Sequence, residues 1–182
     1  DMFEIYRVTT DQTQRNAIYK QIDSLSYEAS KFAAPNEYDK IMKFIGSQGT
    51  NAGTSNDYTV YIENIPSNQL ENWAIVQADR FEMPILRLFH TELETVYEEK
   101  NMSLTNDSRK SNDKLMTLLY PNHPYGQQTT LGEPEHLKNP SMKNIRKFSD
   151  TYYVPNNMAL VLSGDFDFDE AIAIIDKHFG RL

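Results

Sequence analysis

Apolar residues recur every three or four positions in several stretches of the chain, a spacing typical of amphipathic helices. The first stretch follows Asp11, which can cap a helix, and its apolar positions continue to Phe32. A later stretch places Ile145, Phe148 and Tyr152 on one side, which is predicted to face inward. The helices predicted in this way cover residues 11–32, 38–45, 66–84, 86–106, 114–119, 141–152 and 168–179.

Strand patterns are few and short. Residues 58–62 are β-branched and aromatic, and the small residues of 49–57 before them predict a short, open strand and a turn. The apolar run 158–162 predicts another strand, which could be central to a sheet. Residues 121–140 contain four prolines, so this segment is predicted to be mostly loop.

Helices outnumber strands along the chain. This pattern predicts an α+β fold in which helices pack on one face of a mostly antiparallel sheet. The predicted strands are too few for a complete sheet, and we expect the others to lie outside this chain. The first residue is Asp1 rather than Met, which agrees with the expectation of a piece cut from a longer protein.

Composition and charge exclude several classes of function. The 182 residues carry a formal net charge of −8, so the chain lacks the basic surface that binds phosphates, and we expect no nucleic-acid partner. No run of about 18 apolar residues predicts a membrane span. Because the sequence has no Cys, disulfides, thiolate zinc sites and cysteine nucleophiles are excluded within it.

Four glutamates lie close together in the predicted helix 86–106: Glu92, Glu94, Glu98 and Glu99. Glu92 and Glu99 are seven residues apart, so after two helical turns they lie on nearly one line. Two carboxylates placed in this way can serve one cation, the first as a ligand and the second as the group that orients it. A solvated acidic face is the alternative, and composition alone favours it.

The four histidines, at positions 90, 123, 136 and 178, contain no i, i+4 pair of the kind that a helical zinc site needs. We expect each of them to be a surface or packing residue. The chain also lacks a G-x-S-x-G nucleophile elbow. The acidic run 165–170 lacks the spacing of a calcium loop and is predicted to cap the helix that follows it.

The small residues Asn51–Ser55 raise a separate possibility. An exposed edge strand with small side chains can pair with an extended peptide through its main chain. The alternative is an ordinary hairpin, and the residues alone favour it.

Four blocks of sequence, taken together and in order, resemble the M16 metallopeptidases, the group of pitrilysin, insulin-degrading enzyme and mitochondrial processing peptidase. The first contains Asn51-Ala52-x-Thr54 and the strand after it, and the second contains Glu92 and Glu99. The other two are a loop and the helix, turn and strand that follow it. The blocks occupy 49–61, 89–99, 123–137 and 148–167, and the resemblance as a whole covers roughly residues 36 to 180.

The resemblance implies roles for four residues. Glu99 corresponds to the third zinc ligand of the family, and Glu92 to the carboxylate that supports it. Asn51 and Ala52 correspond to the edge strand that aligns the peptide substrate. The implied fold is part of an M16-type domain, and the implied cofactor is Zn²⁺ in the full-length protein.

The chain departs from the family pattern in one large respect. Members of the family draw two zinc ligands and the catalytic base from a His-x-x-Glu-His helix, and none of the four histidines begins such a motif. In the family this helix precedes the Asn-Ala strand, so we expect it upstream of Asp1. Residues 1–35 are interpreted as an N-terminal segment with a helical insertion, and 36–182 as a partial peptidase domain.

The resemblance predicts a fragment of a zinc endopeptidase that cleaves peptides or unfolded polypeptides, with the fragment itself inactive. The expected partners are the peptide substrate and a second M16-like half or subunit, in a homo- or hetero-oligomer. The alternative is a fragment of a non-catalytic M16-like subunit that binds peptides or supports a catalytic partner. A plain interaction module without protease ancestry is a third hypothesis. The resemblance to Bacteroidetes-type members suggests the periplasm or cell envelope of a bacterium.

Overall fold

The computed structural model describes residues 2–86 and 88–182, so Asp1 and Arg87 lie outside the described residues. Helices dominate the described part, and two short strands form a hairpin. The helices are α1 (Met2–Val8), α2 (Gln12–Ser30), α3 (Glu37–Phe44), α4 (Leu70–Glu82), α5 (Phe89–Ser103), α6 (Asp107–Leu119), α7 (Pro124–Gln127), α8 (Pro134–Lys138), α9 (Met142–Tyr152) and α10 (Phe168–Phe179). The strands are β1 (Asn51–Thr54) and β2 (Thr59–Ile62).

Side-chain caps fix the starts of two predicted helices. The Asp11 carboxylate accepts a hydrogen bond from the Gln14 N–H at 2.8 Å at the start of α2. The Asp167 carboxylate accepts one from the Glu170 N–H at 2.9 Å at the start of α10. Each bond satisfies a backbone donor that a helix leaves free in its first turn, which confirms both predicted helix starts.

The described residues divide into two compact units. The first unit contains those within Asp1–Ala33, Thr54–Thr59 and Arg87–Lys143. Within it, α1 packs on α2, α2 on α5, α5 on α8 and α6 on α7. Ile22 of α2 is 3% exposed, so it belongs to the buried core of this unit.

The second unit contains Ala34–Gly53, Val60–Leu86 and Asn144–Leu182. Helix α4 packs along α10. Small residues make this approach close, since Ala74 and Ala78 of α4 and Ala171 of α10 are buried. Met42 of α3 is also fully buried in this unit. The predicted domain boundary near residue 35 stays a prediction.

Strands β1 and β2 form an antiparallel hairpin. The Ser55 N–H donates to the Tyr58 carbonyl at 2.8 Å across the turn, and the Gln48 N–H donates to the Asn64 carbonyl at 2.7 Å at the open end. Tyr61 of β2 packs edge-on against Phe81 of α4, with 5.7 Å between ring centroids. This arrangement confirms the predicted α+β fold class with antiparallel strands.

Two predictions near the C-terminal end are wrong for the described residues. Residues 158–162 form no strand there: they pair with no other strand, and the side chain of Val161 is 85% exposed. Phe148 and Tyr152 of α9 do not face inward, since they are 57% and 52% exposed. The apolar pattern is present in both segments, but burial needs a covering surface, and the described residues leave much of these side chains uncovered.

The segment 121–140 contains more helix than predicted. It contains the short helices α7 and α8, each with a proline near its start. Proline fits the first helical turn because its missing N–H would have no partner there. The helix predicted over 114–119 also begins earlier, at Asp107, where the Asn106 side chain accepts a hydrogen bond from the Arg109 N–H at 3.0 Å.

Candidate functional site

Helix α5 carries both glutamates of the predicted metal site. Glu92 lies in its first turn, and Glu99 follows seven residues later. Both side chains are exposed. The helical geometry therefore places two solvent-accessible carboxylates two turns apart on one side of α5.

The residue after Glu99 fixes the rotation of this helix about its axis. Lys100 is only 4% exposed, although lysine is seldom buried. Its Nζ donates to the Thr129 hydroxyl at 3.3 Å and lies 4.0 Å from a carboxylate oxygen of Glu133. Burial of Lys100 therefore orients the helix so that its neighbour Glu99 remains in solvent.

His90, near the start of α5, is a buried packing residue, one of the two roles expected for it. It is 6% exposed, and its ring centroid lies 5.2 Å from that of Tyr19. Its Nε2 lies 3.6 Å from the Glu94 carboxylate and 3.8 Å from that of Asp23. The hydroxyl of Tyr19 donates to Glu94 at 3.1 Å. Burial, with this bond and the negative charge of Glu94, raises the pKa of Tyr19 to about 12.

Glu99 does not belong to a complete metal site within the residues that the structure describes. No three His, Asp or Glu side chains among them lie close enough together to hold a metal ion. A structural or catalytic zinc site needs at least three protein ligands. An exposed carboxylate is a suitable zinc ligand, so this chain fits zinc as the donor of one ligand and not as the whole site.

Strand β1 carries the predicted substrate-binding residues Asn51 and Ala52. All four residues of β1 are exposed. Within the described ranges β1 pairs only with β2, so its other edge has no strand beside it. The Asn51 side-chain oxygen accepts a hydrogen bond from the Ala52 N–H at 2.8 Å. The strand therefore has the exposure that peptide pairing requires.

Sequence reasoning missed Glu63, which directly follows β2. Its carboxylate accepts hydrogen bonds from side chains of two helices, α3 and α4. One signal for it was available in the sequence. Glu63 lies two residues after Tyr61, and residues two apart in a strand share one face, so both side chains could have been placed against the same helix.

Comparison with known proteins finds relatives along most of the chain. A family model described as "Peptidase M16 inactive domain" matches residues 141–182. The zinc protease PqqE of Helicobacter pylori is 28% identical over 173 residues, which cover 92% of this chain and 38% of that protein. The uncharacterized zinc protease YmxG of Bacillus subtilis is 27% identical, over 91% of this chain and 40% of that protein. The human mitochondrial-processing peptidase subunit beta is 24% identical, over 93% and 35%.

A solved structure agrees with these relatives. The crystal structure of a protease from Helicobacter pylori matches with a TM-score of 0.66 and 26% identity, covering 80% of this chain and 36% of that one. The chain thus spans 35–40% of the length of these three curated relatives. Among the described helices, none is long and apolar enough to cross a membrane. The resemblance to the M16 peptidases is confirmed, and a module without protease relatives is contradicted.

Proposed function

We propose that this chain, which is similar to M16 zinc proteases along most of its length, is part of a zinc-dependent endopeptidase that cleaves peptides or unfolded polypeptides. The observation that carries the proposal is the placement of Glu92 and Glu99, exposed and two turns apart on α5. They lie in a chain whose relatives are named zinc proteases.

In this proposal the carboxylate of Glu99 is one ligand of a zinc ion, and the remaining ligands come from outside the described residues. Glu92 lies on the same side of α5 as Glu99, and its carboxylate supports the zinc site in which Glu99 is a ligand. A zinc ion bound in this way would polarise a water molecule and the scissile carbonyl group. The buried ammonium of Lys100 keeps α5 from rotating, so that Glu99 stays directed to the solvent side.

The substrate in this proposal is an extended peptide. The exposed outer edge of β1 at Asn51–Ala52 offers main-chain groups, among them the Ala52 N–H, which would pair with the peptide as a further strand. Because the Asn51 side chain already accepts from the Ala52 N–H, an arriving peptide carbonyl would replace that local bond. A second M16-like half or subunit is the partner that we propose for the complete enzyme.

A second candidate function rests on the name of the matching family model. That model is described as an inactive domain, and it matches residues 141–182. A non-catalytic M16-like subunit that binds peptides or supports a catalytic partner would account for this match. Such a subunit would have no chemical need for a zinc ligand at Glu99.

Zinc content distinguishes the two candidates. We expect Glu99→Ala in the intact protein to abolish zinc retention after dialysis and to abolish peptide cleavage. Glu98→Ala is the matched control, because Glu98 is the neighbouring exposed glutamate on α5 and has no proposed role. Loss of zinc in Glu99→Ala alone supports the endopeptidase. Normal zinc content in Glu99→Ala refutes the ligand role and favours the non-catalytic subunit.

A further inference from the structure

Glu63 lies at a point where three side chains from two helices meet one carboxylate. The Tyr38 hydroxyl of α3 and the Trp73 indole N–H of α4 both donate to it. The Gln77 amide of α4 donates to its two oxygens at 2.8 and 2.7 Å. Hydrogen bonds to an ionised acceptor are about twice as strong as those between neutral groups, so this cluster is a strong local attachment.

The donors themselves are held in fixed positions. Gln77 is 3% exposed, and its amide nitrogen also lies 2.7 Å from the Tyr38 hydroxyl. The Arg80 guanidinium lies over the ring of Tyr38 at 4.3 Å and over the ring of Tyr61 at 4.6 Å. The positive charge of Arg80 therefore lies beside the same group of side chains that surrounds the Glu63 carboxylate.

Glu63 connects this cluster to the hairpin. Residues two apart in a strand project from the same face, and Tyr61 and Glu63 both contact α4. Ile62, which lies between them, is 57% exposed, and Val60, which precedes them, is 38% exposed. The open end of the hairpin is closed by the hydrogen bond from Gln48 to Asn64, directly beside Glu63. Glu63 thus lies where β2 leaves the hairpin and attaches it to α3 and α4.

We propose that Glu63 is a positioning residue for substrate binding, which holds the hairpin against α3 and α4 so that the outer edge of β1 is presented in a fixed orientation. The proposal rests on the proposed function, because it concerns the same peptide-binding edge. An edge strand binds a peptide through several main-chain hydrogen bonds in register. A hairpin that moves relative to the helices loses this register. Substrate binding then weakens, while the catalytic step itself is unchanged.

The test is Glu63→Gln in the intact protein, with two measurements. The new amide N–H group replaces one of the two acceptor oxygens, so it faces the Gln77 donor and either the Tyr38 or the Trp73 donor, and the cluster opens with little change in volume. We expect KM for an extended peptide to rise about tenfold, equivalent to about 1.4 kcal/mol, with kcat and zinc content unchanged. We also expect faster hydrogen exchange at the amides of 48–54 and 59–64, and unchanged exchange in α10.

Two further variants make the test specific. Glu63→Asp keeps both acceptor oxygens on a shorter side chain, and we expect it to restore part of the lost binding. Asp165→Asn makes the same carboxylate-to-amide change at an exposed position of the same unit, and we expect wild-type KM and exchange.

An unchanged KM in Glu63→Gln overturns the proposal, and so does faster exchange in α10 that equals the change in the hairpin. If the intact wild-type protein has no zinc-dependent peptidase activity, the proposed function fails. The hairpin exchange in Glu63→Gln then decides by itself whether Glu63 holds β1 in place: unchanged hairpin exchange contradicts the attachment, and faster exchange confined to the hairpin supports it.

Discussion

The indole ring of Trp73 and the phenyl ring of Phe179 lie 6.0 Å apart between centroids, with their planes inclined by 35°. They join α4 to α10 beside the buried alanines of the same interface. The small side chains let the helix backbones approach closely, and the two rings fill the space at the side.

This packing predicts that added volume in the interface is destabilising. Ala78→Val inserts two methyl groups at a position with no exposed surface. We expect a loss of about 1–3 kcal/mol in the free energy of unfolding, measured by urea denaturation. Ala173→Val is the matched control on α10, because Ala173 is exposed. It should cost only the lower helix propensity of valine, about 0.6 kcal/mol. Equal losses in the two variants would contradict the close packing of α4 on α10.

The order of effects at the two glutamates of α5 tests their separate roles. We expect Glu92→Ala in the intact protein to weaken zinc binding by about 10–100-fold, the usual effect of removing a group that supports a ligand. Glu99→Ala should weaken it further, because it removes the ligand itself. Zinc affinity is measured by competition with a chelator, and Glu98→Ala again provides the reference. A loss in Glu92→Ala that equals or exceeds that in Glu99→Ala would show that the two roles are exchanged.

Tyr61 and Tyr19 are among the tyrosines expected to ionise late in an alkaline titration. Burial and the hydrogen bond with Tyr153 raise the pKa of Tyr61 to about 12, although the positive charge of Arg80 acts in the opposite direction. The pKa of Tyr19 is also raised to about 12. A folded-state pKa above the unfolded value favours the neutral form in the folded protein. The stability that this contributes is therefore complete below pH 10.0 and is lost as the pH rises toward about 12.

Ultraviolet absorbance of tyrosinate measures this titration. Tyr61→Phe should remove one ionisation from the late phase, and full denaturation should remove the late phase altogether. Tyr153→Phe deletes the hydrogen-bond partner but not the burial, so the ionisation of Tyr61 should move to lower pH and remain late. If Tyr61→Phe leaves the late phase intact, the assignment to Tyr61 is wrong.

The exposed apolar segment 158–162 predicts self-association of the 182-residue chain. Val161 is 85% exposed and lies in a segment without regular secondary structure that pairs with no described strand. Unpaired apolar edges of this kind promote association between molecules. We expect Val161→Ser to reduce light scattering and the binding of a hydrophobic dye, and to change the free energy of unfolding by less than about 0.5 kcal/mol. A large loss of stability would show that Val161 is buried in the folded chain.

Local features of the site were predictable because local sequence produces them. The caps at Asp11 and Asp167 act within the first turn of their own helices, so the starts of α2 and α10 follow from neighbouring residues. The alignment of Glu92 with Glu99 depends only on helix geometry. The exposure of β1 follows from the small side chains that begin at Asn51.

Distant contacts were not predictable. The donors to Glu63 lie 25 residues before it and 10 and 14 residues after it, and its spacing from Tyr61 does not show which side chains would approach it. The burial of Lys100 depends on the segment that carries Thr129 and Glu133. The exposure of Phe148 was also unexpected, because its pattern is that of a buried helix face.

The sequence by itself determined where helices begin, which carboxylates share a helix face and which families the chain resembles, since each depends on near neighbours or on residue order. Tertiary structure alone decided which apolar faces are covered and which polar groups are paired. Burial and side-chain hydrogen bonds depend on partners brought together from distant parts of the chain. Glu63 shows this most clearly. In the sequence it is an ordinary glutamate after a strand, and only the packing of α3 and α4 brings three donors to its carboxylate.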